Sequence, residues 1–190
     1  SFFIGVFNSS IRSDLTVSHG QFGAIYALAT LLSSFSLIWI GKKIDDYRLI
    51  YFSFFVILLL FFSSIFFSFV NNVFLLFFGI FLLRLSGQGL MTHTATTSIS
   101  RFFDESRGKA LSVTWLGLSA AEFIMPVTIV FFLSIYSWRS IWLSIALLII
   151  LLLPVISYLT IKKITFDNHR RDRFERFQKE FSVWVNAAIC

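Results

Sequence analysis

The sequence predicts an all-α membrane protein, and three observations carry the prediction. Hydrophobic residues make up 57% of the chain, phenylalanine is unusually abundant, and the charges gather in short breaks between long apolar blocks. A bilayer core of roughly 30 Å needs about 20 helical residues to cross it. No Asp, Glu, Lys or Arg occurs from 15 to 41 or from 49 to 83. A soluble fold of this length would wrap its core in helices with charged outer faces. In lipid the backbone must satisfy its own polar groups, which leaves helices or a closed barrel. The alternation expected of barrel strands is absent.

The elements follow in order. The uncharged run from 49 to 83 is too long for one crossing, because at ~1.5 Å per residue it would reach about 52 Å. Asn71-Asn72 lies inside it and suits a turn. The spans are therefore expected near 20–40, 49–70, 73–99, 110–136 and 140–161. Residues 1–7 (SFFIGVF) read as the tail of a span whose beginning is missing, and 181–190 (FSVWVNAAIC) as the opening of another, cut short. This divides the chain into an N-terminal transmembrane bundle (1–161, first span truncated), a cytoplasmic linker (162–180) and the truncated start of a seventh span (181–190). The apolar start has no basic n-region or cleavage site, so it is not read as a signal peptide. Cys190 is the only cysteine, which excludes an internal disulfide and a cysteine metal cluster. No cofactor or metal is expected.

Positive charge sorts the breaks. Lys42, Lys43 and Arg48 lie in one, Arg101, Arg107 and Lys109 in another, and Lys162, Lys163, Arg170, Arg171, Arg173, Arg176 and Lys179 follow the last complete span. The alternate breaks hold only Arg12 and Arg139. This bias places the basic loops and the linker in the cytoplasm, and a bacterial inner membrane is the expected location. The pI of 9.8 then reflects topology, not nucleic-acid binding. Within the linker, Phe174, Phe177 and Phe181 form a stripe, with Arg171, Glu175 and Lys179 at helical spacing. That pattern fits an amphipathic helix on the membrane surface, and equally a solvated connection.

Two charged residues, Arg84 and Glu122, fall deep within spans that run in opposite directions, both near the midplane. A charge there costs at least ~2.5–3.5 kcal/mol and should face the bundle interior or a wet cavity. Gln88, four residues after Arg84, continues its face. His93 is nine residues from Arg84, which at ~100° each puts it on the opposite side of a regular helix, in line with Gly89 and Thr97. It reads first as a packing residue. The expected roles are Arg84 and Gln88 for substrate binding, and Glu122 as partner to Arg84 or as a proton carrier.

Several local patterns resemble the major facilitator superfamily. Gly41-Lys42-Lys43-Ile44-Asp45-Asp46-Tyr47-Arg48 resembles the family's Gly-x-x-x-Asp loop after the second span. Asp46 stands where a cation is usual, and Arg48 where glycine is usual. Arg84-Leu85-Ser86-Gly87-Gln88-Gly89 resembles its fourth-span pattern. Arg101-Phe102-Phe103 followed by Arg107-Gly108-Lys109-Ala110 resembles its basic loop into the fifth span, and Trp138-Arg139 its outer turn before the sixth. The run from Arg84 to Pro126 is most similar to monocarboxylate or oxalate/formate transporters. The resemblance implies the six-helix N-terminal half of a twelve-helix fold, with a C-terminal six-helix half missing here. It also implies a midplane site between halves that rock, and a gating role for Gly41, Asp45, Arg101 and Arg107.

The expected function is secondary active transport of a small solute, with a carboxylate suited to the Arg84 fork and proton coupling through Glu122. Its partners would be that solute and the lipid bilayer, with no nucleic acid. A membrane enzyme using His93 as a base would need a nucleophile or metal constellation that is not nearby. A non-transporting receptor or scaffold would have no need of midplane charges. No catalytic residue is assigned.

Overall fold

The computed structural model describes residues 2–103 and 107–160, all of whose regular structure is helical. The expected linker and seventh span lie outside the described residues. Two short helices, α1 (Phe2–Val6) and α2 (Asn8–Leu15), precede five that are long and apolar enough to cross a membrane. These are α3 (His19–Lys42), α4 (Leu49–Ser68), α5 (Val73–Phe102), α6 (Arg107–Leu133) and α7 (Trp138–Thr160). All five expected spans are present, each within a few residues of its expected bounds.

The breaks are built by local chemistry. Thr16, at φ 52°, ends α2 in the left-handed region, which is uncommon for a β-branched residue. Ser18 then opens α3 with a reciprocal cap: Gln21 N–H donates to Ser18 Oγ (3.2 Å), and Ser18 N–H donates to Gln21 Oε1 (3.0 Å). Val17 and Phe22 flank this cap and are both buried in one cluster, the hydrophobic staple that fixes the angle of entry. The expected turn at Asn71-Asn72 is present. Asn72 Oδ1 accepts from Leu75 N–H at 2.8 Å and starts α5.

Two apolar clusters hold the bundle. One lies at the end opposite the basic breaks, where Phe67 of α4 meets Trp138 and Trp142 of α7 edge-on at 5.9 and 4.9 Å, and Phe7 meets Trp142 at 5.4 Å. A Cβ on Gly79 would lie 2.7 Å from the Phe67 ring, so α5 approaches α4 there only because that side chain is absent. The second cluster, at the basic end, joins Ile44, Leu49, Phe52, Val56, Leu85 and Leu90. Much of the apolar surface of α3, α6 and α7 stays exposed, as at Phe123 (82%). In water such an expanse would aggregate; in a bilayer it is the solvated surface.

Candidate functional site

Helix α5 is not uniformly α-helical. Arg84–Met91 forms a π-helical segment between Val73–Leu83 and Thr92–Phe102. Each π turn accommodates one residue more than an α turn, which displaces everything after it by ~100° relative to a regular helix. The consequence is visible in how α5 meets α3. Arg84 Nε donates to Thr30 Oγ1 at 3.1 Å. A Cβ on Gly89 would meet Leu37 at 3.3 Å, and His93 Nε2 lies 3.2 Å from the Gly41 carbonyl. Contacts advance together along both chains, so the two helices run in the same direction.

This corrects the expected placement of His93. A regular helix would direct it away from Arg84; the π segment brings both to the α3 side. Thr30 and Gly41 are eleven residues apart, which at ~100° each returns them to one face of α3. His93 and Thr97 line a cleft of about 370 Å³ with Ser34, Leu37, Gly41 and Asp45.

The Arg84 guanidinium is half-buried. Nη1 donates to Gln88 Oε1, as the four-residue spacing suggested, and Cζ lies 5.0 Å from the centre of the Tyr26 ring. Its described partners are thus a hydroxyl, an amide and an aromatic face, none of them anionic. Tyr26 and Thr30, one turn apart on α3, were not singled out from the sequence, where they look like ordinary polar residues on an apolar span.

Glu122 does not meet Arg84. It is exposed on α6 and forms no ion pair among the described residues. The expected pairing rested on equal depth, and depth leaves the direction around each helix undetermined. Arg84 turns into α3, whereas α6 packs on α1 and on the Thr92–Phe102 portion of α5, and shares an apolar cluster with α7.

At the basic end, Arg101 Nη2 donates to Asp45 Oδ1 at 2.8 Å and to the Ile44 carbonyl at 3.1 Å. Of the four residues to which the resemblance gives a gating role, Asp45 and Arg101 are therefore in direct contact. Arg107 is exposed and has no ion pair among the described residues. Among the described residues, no three His, Cys, Asp or Glu side chains converge to hold a metal ion.

The family model for the Major Facilitator Superfamily matches residues 1–187. The chain belongs to the Major Facilitator Superfamily. Its members are membrane transporters, so this chain is an integral membrane protein of that class, with an all-α fold. No curated protein and no solved structure matches it significantly.

In this superfamily member Asp46 is exposed, and Arg101 bonds to its neighbours Asp45 and Ile44. A second polar network, at the opposite end, went unrecognised. Asp14 of α2 accepts from Trp138 Nε1 (3.2 Å) and pairs with Arg139. Arg139 also donates to the Val70 carbonyl at 2.8 Å and stacks 4.4 Å from the Trp138 ring. Trp138-Arg139 was a recognised signal, but its acceptor is a lone acid far away in sequence.

Proposed function

We propose that this chain forms part of a secondary active transporter that moves a small anionic solute by alternating access, with Arg84 as the cation that binds it. The supporting observation is the neutrality of the Arg84 surroundings. Arg84 lies about 16 Å along α5 from Val73 at ~1.5 Å per residue, near the middle of a hydrocarbon core. Thr30, Gln88 and Tyr26 orient the guanidinium without cancelling its charge. An uncompensated charge at that depth is costly, and an arriving anion offsets the cost. A carboxylate is the favoured chemistry, since the planar fork can bind it through two parallel hydrogen bonds. It is also the chemistry of the transporters that the Arg84–Pro126 run resembles.

In this reading the Asp45–Arg101 pair is the cytoplasmic gate, with Gly41 permitting the close approach beside it. Glu122 enters as a proton carrier acting separately from Arg84. The test is uptake of radiolabelled lactate and oxalate into proteoliposomes holding the intact protein. Arg84→Ala should abolish uptake. Arg84→Lys should restore little, because a point charge cannot reproduce the fork. Glu122→Gln should leave exchange intact while flattening its dependence on external pH. Normal carboxylate uptake by Arg84→Ala would overturn the anion site.

A further inference from the structure

Between Arg84 and the Asp45–Arg101 pair, α3 and α5 meet through a side chain that neither assignment uses. His93 crosses the seam to the carbonyl of Gly41, with Nε2 and oxygen 3.2 Å apart. Gly41 is buried, and a Cβ there would lie 3.4 Å from His93 Cδ2 and 3.5 Å from Nε2. The imidazole therefore rests against a position of α3 that offers it bare backbone.

That backbone is the end of a helix. Helix α3 stops at Lys42, and the last carbonyls of a helix lack their ordinary partners four residues on. The Asp45 amide, which would serve Gly41 in a longer helix, goes to Lys42 instead (3.1 Å), and Gly41 receives the Ile44 amide at 3.2 Å. The Lys43 amide, shared with Ile40, also points at the Gly41 carbonyl, and His93 adds a donor from outside the helix. The end of a helix also carries partial negative charge, which favours a donor from a basic side chain. Two turns further along α5, Arg101 donates to the Ile44 carbonyl (3.1 Å) in the turn that follows α3. Helix α5 thus holds the end of α3 at Gly41 and the following turn at Ile44. Since a carbonyl can only accept, a hydrogen bond here is made by the tautomer that carries its proton on Nε2.

We propose that His93 is a positioning residue of the gate: by capping the Gly41 carbonyl it holds the lower half of α5 against the end of α3, at the separation where Arg101 meets Asp45. The placement depends on the π segment, without which His93 would face elsewhere. The proposal rests on the reading of Asp45–Arg101 as a gate.

The test needs no substrate. In the intact protein with Cys190 and any other native cysteine replaced by serine, Thr97→Cys places a thiol in the cleft beside His93, and a membrane-impermeant maleimide is applied to inside-out vesicles. His93→Leu should raise the labelling rate about fivefold, the scale set by losing one hydrogen bond. His93→Gln, whose amide can still donate, should stay within about twofold of the parent. His93→Ala should also raise the rate, and it serves in place of His93→Leu if that variant does not fold. Asp45→Asn should raise the rate by itself, and His93→Leu with Asp45→Asn should label no faster than the faster single variant. Equal rates in His93→Leu and His93→Gln, or effects that multiply in the double variant, overturn the positioning role. A rise with Asp45→Asn but none with His93→Leu sinks His93 alone. The reverse pattern sinks the gate reading, and this proposal with it.

Discussion

Arg84 and His93 lie on one side of α5 and reach Thr30 and Gly41 of the same neighbouring helix. Nine residues of regular α-helix would set them opposite one another. The π segment at Arg84–Met91 removes that opposition. From Arg84 onward, a single stripe of α5 meets α3: Gly89, His93 and Thr97 along the seam, then Arg101 at its end.

If the π segment works as one inserted residue, its removal should be tolerated better than a further insertion. Deleting Gly87 would let α5 run as regular helix while His93 keeps its direction. Inserting an alanine after Gly87 would turn His93 and Arg101 away by ~100°. We expect the deletion to retain a monodisperse, folded protein in detergent and the insertion to lower the thermal midpoint by several degrees. Equal loss in both, followed by size-exclusion chromatography after heating, would mean that the segment is not acting as a single-residue register shift.

Gly79 gives a separate test of packing, away from the proposed site. Its absent side chain lets the Phe67 ring approach, and that ring is held between Trp138 and Trp142. Gly79→Ala should destabilise by about 1–3 kcal/mol, the usual cost of overpacking. Gly87→Ala should cost less, since its Cβ would meet only the end of Leu60 at 3.4 Å. Thermal unfolding of the two variants side by side checks the order.

How much of this was legible depends on what hydropathy and spacing encode. The spans, the Asn71-Asn72 turn and the basic breaks were readable because the bilayer demands length and excludes charge. Arg84 and Gln88 were readable because their contact stays within one helix. The family pattern marked Asp45, Arg101 and Arg107 together but not which cation meets the acid; packing selects Arg101. Glu122 was misplaced because depth says nothing about azimuth. His93 was misplaced because a regular 100° step was carried through a segment that breaks it, although Gly87 and Gly89 mark a place where the helix is free to deform. Tyr26, Thr30 and Asp14 left no local signal; their roles come from the neighbours that tertiary packing supplies.

Sidedness can be checked directly. Lys43 and Arg107 are exposed at the same end of the bundle, and from the charge bias we propose that this end faces the cytoplasm. Lys43→Cys and Arg107→Cys, each in a Cys190→Ser background, should resist an impermeant thiol reagent in intact cells and react after the membrane is opened. Labelling of both from outside would invert the topology.

The Asp45–Arg101 pair separates stability from function. Asp45 is 75% exposed and Arg101 36%, and an exposed pair contributes only about 0.2–1 kcal/mol. Asp45→Asn should therefore leave the thermal midpoint nearly unchanged. Its effect should fall on turnover, because Asp45 lies about four turns of α3 from the Thr30 level where Arg84 is held. We expect the maximal uptake rate to drop several-fold while the half-saturating solute concentration shifts by less than about twofold, with Arg101→Ala behaving alike. If half-saturation instead rose steeply while maximal uptake stayed normal, the pair would belong to the binding site and the gate would have to be sought elsewhere.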